Sequence, residues 1–233
     1  MQLRADNLIV RYDGSEAAVL SNVSFAVESG EKVALLGDNG AGKSTLLLTL
    51  AGVLEPVSGG VILDGLVVKR ENLHGMRQKI GMVFQNPDDQ LFMSTVHEDV
   101  AFGPRSYGSA EEKIEQCMDK VFSRLGILHL KNRMTHRLSG GEKRLAALAG
   151  ILIMEPSVLL MDEPFSFLDL RSRRRLEEIL DTLPQTSLIA THDLEVAERL
   201  CTRAIVLKEG RVHADGPIGA IITRLKSMSI TCR

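Results

Sequence analysis

Three groups of residues in this sequence have the types and spacing that handle phosphate. The first is Gly37-Asp-Asn-Gly-Ala-Gly-Lys-Ser44, a match to the pattern G-x-x-x-x-G-K-S. Glycines at 37, 40 and 42, with Asn39 and Ala41 between them, let successive backbone N–H groups turn toward phosphate oxygens. Lys43 can then span the β- and γ-phosphates, and the Ser44 hydroxyl can ligate Mg2+. The run from Thr45 to Gly52 reads as a helix whose positive N-terminal end faces the same anion. The second group is Val158-Leu-Leu-Met-Asp-Glu-Pro164, an apolar strand that delivers two adjacent carboxylates. Two acids after a strand are by themselves usually a solvated loop. Downstream of a phosphate loop, Asp162 is placed to hold the hydration shell of Mg2+, and Glu163 to orient or deprotonate an attacking water. The third group is Leu138-Ser-Gly-Gly-Glu142. Ser139 and Glu142 have the spacing of a capping box, and a helix N-terminus opened by Ser139, Gly140 and Gly141 is also an anion site. It lies about a hundred residues from the phosphate loop, so it can serve a second nucleotide face.

Positioning these groups requires a particular set of elements. Lys32 to Leu36, Val158 to Met161 and Ser187 to Ala190 are short apolar runs that end in glycine or polar residues, as buried parallel strands do. Val23, Phe25 and Val27 alternate with Ser24, Ala26 and Glu28, the period of a half-buried strand, and Gly60 to Gly65 reads as another strand ending in an Asp-Gly turn. From Gln85 to Glu155 the periodicity becomes helical. Ile114, Met118, Val121, Phe122 and Leu125 share one face, with Ser109-x-x-Glu112 as the expected capping box and Gly126 as the stop. Ala204 to Val212 reads as a hairpin turning at Glu209-Gly210. The expected fold class is α/β: a mostly parallel sheet, an N-terminal antiparallel β subdomain, and an inserted α-helical subdomain that carries Ser139 to Glu142. Residues 1–233 are expected to form one domain, with 1–85 and 155–233 as the α/β core and 86–154 as the helical insert.

Composition narrows the function classes. The 233 residues are 44% hydrophobic and 25% charged, enough to bury a core. A net charge of −2 offers no excess of Lys and Arg with which to neutralise a nucleic-acid backbone, so no nucleic-acid partner is expected. Cys117, Cys201 and Cys232 are too far apart for a zinc site or a disulfide framework and fit a reducing cytosol. The N-terminus is broken by charge and does not read as a secretory leader, so the chain is expected to be mature from Met1. The most apolar stretch, Leu145 to Met154, is about half the ~20 residues that a membrane-spanning helix needs.

The ordered set of phosphate loop, Phe84-Gln-Asn-Pro87, Leu138-Ser-Gly-Gly-Glu142, Leu159-Leu-Met-Asp-Glu-Pro164, Ser166-Phe-Leu-Asp169 and Thr191-His-Asp193 resembles the nucleotide-binding domain of ABC transporters over nearly the whole chain. That resemblance implies a P-loop NTPase core using ATP and Mg2+. It implies that Tyr12 stacks on adenine, that Gln85 links Mg2+ and the attacking water to a membrane partner, and that Ser139 to Glu142 meet the γ-phosphate from the opposite subunit. By the same likeness Asp169 sits at the dimer seam and His192 contacts the γ-phosphate. A narrower similarity, in Phe84-Gln-Asn-Pro-Asp-Asp-Gln-Leu-Phe92 and Thr95 to Pro104, is to the ATPase of energy-coupling-factor importers, the cobalt, nickel and vitamin uptake group. Three features depart from the family pattern. Glu142 replaces the more usual Gln, Leu145 stands where many relatives carry Arg, and the chain stops soon after Gly216.

The resemblance implies an import ATPase at the cytoplasmic face of the cell membrane, peripheral to a transmembrane coupling subunit and a substrate-capturing membrane subunit. A homodimer is expected, with a paralogue heterodimer as the alternative, and the favoured cargo is cobalt or nickel, then a vitamin such as biotin. The competing classes are a soluble ABC ATPase not engaged in transport and a small-molecule kinase. The kinase has no use for Leu138 to Glu142.

Overall fold

The computed structural model describes residues 2–15 and 17–230. In chain order the elements are β1 (Leu3–Val10), β2 (Leu20–Val27), β3 (Lys32–Leu36), α1 (Lys43–Leu50), β4 (Ser58–Leu63), β5 (Leu66–Val67), α2 (Leu73–Lys79), β6 (Ile80–Val83) and α3 (Val96–Ser106). They continue with α4 (Glu111–Leu125), α5 (Gly140–Leu152), β7 (Val158–Asp162), α6 (Leu170–Thr182), β8 (Thr186–Ala190), α7 (Leu194–Leu200), β9 (Arg203–Lys208), β10 (Arg211–Pro217) and α8 (Ile218–Ile230).

Two sheets form. The first runs β2-β1-β4-β5 with antiparallel pairing throughout. The second runs β10-β9-β3-β8-β7-β6, parallel except for the β9–β10 hairpin. Alternation along β3 explains why its sequence is apolar without a break. Val33 and Leu35 enter the core shared with the antiparallel sheet and α1, while Ala34 and Leu36 enter the core shared with α3, α4 and α5. Such a strand has no wet face, and β7 and β8 are likewise buried at every position. The turns at Asp64-Gly65 and Glu209-Gly210 have φ values of 51° and 77°, and of 50° and 71°, the left-handed pairs that match hairpin twist.

The helical segment contains one difference from expectation. α4 does bury Ile114, Met118, Phe122 and Leu125 and ends at Gly126 with φ 64°, but Ser109 does not cap it. The flanking residue is Ala110, which makes no side-chain cap. The Ser109 amide instead closes back on Pro104 O at 3.0 Å, so Ser109 belongs to the exit from α3. The start of α4 is held by Arg105, which grips Glu111 at 2.6 Å. α3 carries the capping box, with Thr95 and Glu98 each bonding the other's backbone N–H. The short helix α2 and the long α8 had no clear signal in the sequence.

Cys117 and Cys201 are free thiols, and burial pushes the Cys201 thiol up to about 12. Cys232 lies outside the described residues.

The ion cluster at the foot of α4 leads to a pH prediction. Lys131 Nζ lies 2.8 Å from Glu115 and His97 bonds the same carboxylate; Lys131 first, then His97, holds its pKa down at about 2. A depressed acid contributes stability above its unfolded value of about 4.3 and loses it as pH falls through the folded value. Glu115→Gln should therefore lower Tm slightly near pH 6, and its difference from the parent should shrink as pH falls from about 4.5 to 2. A difference that stays constant across that window in thermal melts would contradict the assignment.

Candidate functional site

The carboxyl ends of β3, β7 and β8 open on one cleft of about 720 Å3. Between β3 and α1 the chain passes through positive φ at Gly37 (154°), Gly40 (82°) and Gly42 (102°). A Cβ at Gly37 would stand 2.3 Å from the Leu207 carbonyl oxygen, and one at Gly42 would stand 2.8 Å from Leu20 Cδ2. Neither position therefore has room for a side chain. The Gly210 amide donates to Ala41 O at 3.1 Å, which pins the outer rim of the loop to the β9–β10 turn. Lys43, nearly buried, donates to Gly37 O at 2.7 Å and Asp38 O at 3.1 Å, so the loop's own carbonyls hold its ammonium at the cleft.

Asp162 ends β7 and accepts a hydrogen bond from the Ser44 hydroxyl. Burial pushes its pKa up, the Ser44 bond opposing this and the Glu163 charge adding to it. A buried carboxylate that resists ionisation and touches a hydroxyl is a good seat for a hard cation, which compensates the charge burial disfavours. Gln85, whose carboxamide oxygen is a further hard donor type, lines the same cleft. No cluster of three or more His, Cys, Asp or Glu suited to a metal occurs among the described residues, so a cation here needs oxygens from a bound phosphate.

Glu163 follows in the left-handed region, φ 43°, which re-aims the chain so that its carboxylate meets His192 Nδ1 at 2.9 Å. Its amide still donates to Ala190 O at 2.9 Å, so the left-handed turn is made without losing the last bond to β8. His192 leaves β8 with its side chain 70% exposed, free to turn toward a ligand in the cleft. Asp193 caps α7 and is bonded by Arg173 of α6, which also holds Glu177 Oε1 at 3.0 Å. Arg173 escaped the sequence reading; its only signal was its place in the basic run Arg171 to Arg175.

Of the sequence-derived residues, Asn39, Gly40, Gly42, Lys43, Ser44, Thr45, Gln85, Asp162, Glu163 and His192 line the one cleft. Gly37 and Ala41 belong to the same loop but do not line the cleft. Tyr12 stands beside it, its phenol 3.0 Å from the Thr45 hydroxyl. Ser139, Gly141 and Glu142 line a different, smaller hollow of about 100 Å3 shared with α6. There Ser139 and Glu142 form the expected capping box on α5, and a Cβ on Gly141 would meet Ser172 Oγ at 2.4 Å. Asp169 caps α6 through the amides of Arg171 and Ser172 and takes the Ser172 hydroxyl at 2.6 Å. Within one chain the Lys43 loop and the Ser139 helix end therefore do not share a cavity.

If the cleft holds a triphosphate, Lys43→Ala should weaken nucleotide binding by about tenfold or more, since a charge-assisted bond contributes roughly 1.5–3 kcal/mol. Unchanged affinity for a fluorescent nucleotide triphosphate by equilibrium titration would remove the cleft from consideration.

Comparison with known proteins agrees with this geometry. Residues 20–166 match the family model described as ABC transporter. A Streptomyces coelicolor relative, provisionally designated an ABC transporter ATP-binding protein, is 48% identical over 91% of this chain and 80% of its own length. The energy-coupling factor transporter ATP-binding protein EcfA of Methanothermobacter thermautotrophicus is 44% identical, over 88% of this chain and 67% of its own. Among solved structures, cbiO1 of Clostridium perfringens, described as part of the ABC transporter complex cbiONQ, superposes with a TM-score of 0.86 at 36% identity, covering 97% of this chain and 92% of that one. A dimeric ATP-binding cassette in a post-hydrolysis state, bound to ADP and phosphate, superposes with a TM-score of 0.83 at 26% identity, covering 93% and 98%. The phosphate loop, the buried acid pair and this likeness along most of the sequence agree: the chain belongs to the ABC transporter family, as one of its ATP-binding, ATP-hydrolysing members.

Proposed function

We propose that this chain is the ATPase subunit of an energy-coupling-factor type importer, peripheral to the cytoplasmic face of the membrane. Two copies close on MgATP and reopen after hydrolysis, driving a transmembrane coupling subunit that works with a substrate-capturing membrane subunit. The observation that supports the dimeric mechanism is that Lys43 and Ser139 line separate cavities of one chain. A helix N-terminus that cannot reach its own phosphate loop can complete the loop of a second copy.

In each composite site the loop amides from 37 to 44 hold the phosphates, Lys43 leaves the carbonyls of Gly37 and Asp38 for the β- and γ-oxygens, and Tyr12 stacks on adenine. Ser44, Gln85 and Asp162, the last through water, are the residues that would hold Mg2+, which supplies charge neutralisation on the phosphates. Glu163 orients the attacking water and takes its proton, while His192, already bonded to Glu163, faces the γ-phosphate. Ser139 to Glu142 approach that phosphate from the other subunit, and Asp169 lies at the seam between them. Among the described residues no helix is long and apolar enough to cross a membrane.

Likeness to EcfA and to a cbiONQ component supports the energy-coupling-factor subgroup. The similarity in Phe84 to Phe92 supports the same subgroup; within it cobalt or nickel is the favoured cargo, with a vitamin such as biotin as the second reading. Pull-down of the tagged chain from detergent-solubilised membranes tests the assignment. Recovery with membrane subunits supports it, and recovery with soluble particles alone overturns it.

Glu163→Gln keeps the shape of the side chain and removes the base. ATP should still bind, hydrolysis should fall on the order of 10²-fold or more, and closed dimer should accumulate on gel filtration with MgATP. Ser139→Arg should leave nucleotide binding by monomers near normal yet abolish turnover, whereas loss of a cap alone costs about 0.5–2 kcal/mol of stability. Mixed with Lys43→Ala subunits, it should regain activity, because one site of each mixed dimer has an intact loop and an intact helix end. No recovery in mixed dimers shown to form would count against assembly in trans.

A further inference from the structure

Arg144 is among the largest side chains buried in the molecule, 1% exposed, and it forms no ion pair among the described residues. Its guanidinium donates to two backbone carbonyls, Nη1 to Phe84 O and Nη2 to Gln85 O, each at 2.5 Å, while Nε has no partner. Burial alone draws its pKa down to about 10. A buried cation without a counter-ion is a costly way to fill space, and the two carbonyl bonds are what offset that cost. What an arginine offers there is a rigid fork that fixes two successive carbonyls at once.

The neighbours of Arg144 grip the same stretch. Lys143 Nζ lies 2.6 Å from Asp88 Oδ1, and the Gln90 carboxamide donates to Ala147 O at 2.9 Å while accepting from the Phe84 amide at 3.4 Å. Residues 84 to 90 are thereby fastened to α5 at three points, although they leave from β6 at the edge of the parallel sheet. α5 is also the helix that Ser139 caps.

We infer that Arg144 is a positioning residue that sets the place of Gln85 in the nucleotide cleft according to the seat of α5. The inference rests on the role given to Gln85 above. A shift of α5 against β6, such as a second subunit pressing on Ser139 can produce, is carried by the guanidinium to the Gln85 backbone. The Ser139 helix end, which serves one site, and Gln85, which serves the other, are thus joined in each chain by one side chain.

A double-mutant cycle on hydrolysis tests this, using full-length protein and MgATP. Arg144→Met frees two backbone carbonyls and should lower Tm somewhat, but it should leave ATP affinity within about twofold while lowering kcat about tenfold, a split that a general loss of fold stability does not produce. Gln85→Ala should lower kcat by itself. The double variant should be no slower than Gln85→Ala, since Arg144 then has nothing left to position. Arg144→Lys, which retains the charge but lacks the fork, should fall between parent and Met. If Arg144→Met fails to fold, the Lys variant carries the same cycle. Wild-type kcat in the Arg144 variants, or losses that multiply in the double variant, overturns the inference while leaving the site assignment standing. Wild-type kcat in Gln85→Ala strikes the Gln85 assignment itself, and the inference with it.

Discussion

A loop can wrap its backbone amides around an anion only where the chain bends sharply enough for several N–H groups to converge, and some of those bends need positive φ values that L side chains rarely adopt. The chemistry of this chain depends on how the bend between β3 and α1 escapes that restriction. Gly37, Gly40 and Gly42 provide the necessary φ values, and the rest of the fold crowds against them: the Leu207 carbonyl at Gly37, Leu20 at Gly42, and the Gly210 amide on Ala41. The β9–β10 turn and β2, distant in sequence, thus act as the mould of the loop. The antiparallel sheet and the hairpin contribute no side chain with an obvious reactive role, yet without them the loop has no reason to hold its shape.

A second constraint is the placement of charge. Asp162 and Glu163 are adjacent, both nearly buried, and would repel if they pointed together. The left-handed turn at Glu163 sends its carboxylate to His192, while Asp162 remains with Ser44. Two acids one residue apart are thereby given separate partners, one suited to a cation and one to a proton. Arg173 extends the arrangement by holding Asp193, the residue after His192, against α6.

Much of this was legible in the sequence because the relevant signals are local. The apolar runs of β3, β7 and β8, the hairpin turns at Asp64-Gly65 and Glu209-Gly210, the capping box at Ser139 and the helical stripe of α4 all lie within a dozen or so residues of the groups they organise. The one mistaken boundary, Ser109, failed for a local reason too: the spacing of a capping box was present, but the exit of α3 claimed the serine's amide first. Contacts that join distant segments were not legible. Nothing in the sequence around Arg144 or Arg173 announces that one bonds Phe84 and Gln85 and the other Asp193. An arginine in a helix is ordinarily a solvated residue, and only the fold reveals that Arg144 has no solvent.

The thiol of Cys201 supplies a clock for one corner of the fold. It closes α7, the helix that begins beside His192, and its ionisation is suppressed by burial. Since alkylating reagents attack the thiolate, the native thiol is chemically silent until α7 peels from the sheet. Its labelling rate in a mild excess of reagent therefore reports the opening free energy of that corner, a local-unfolding quantity distinct from global stability. The half-buried Cys117 on α4 provides an internal reference on the other flank of the molecule.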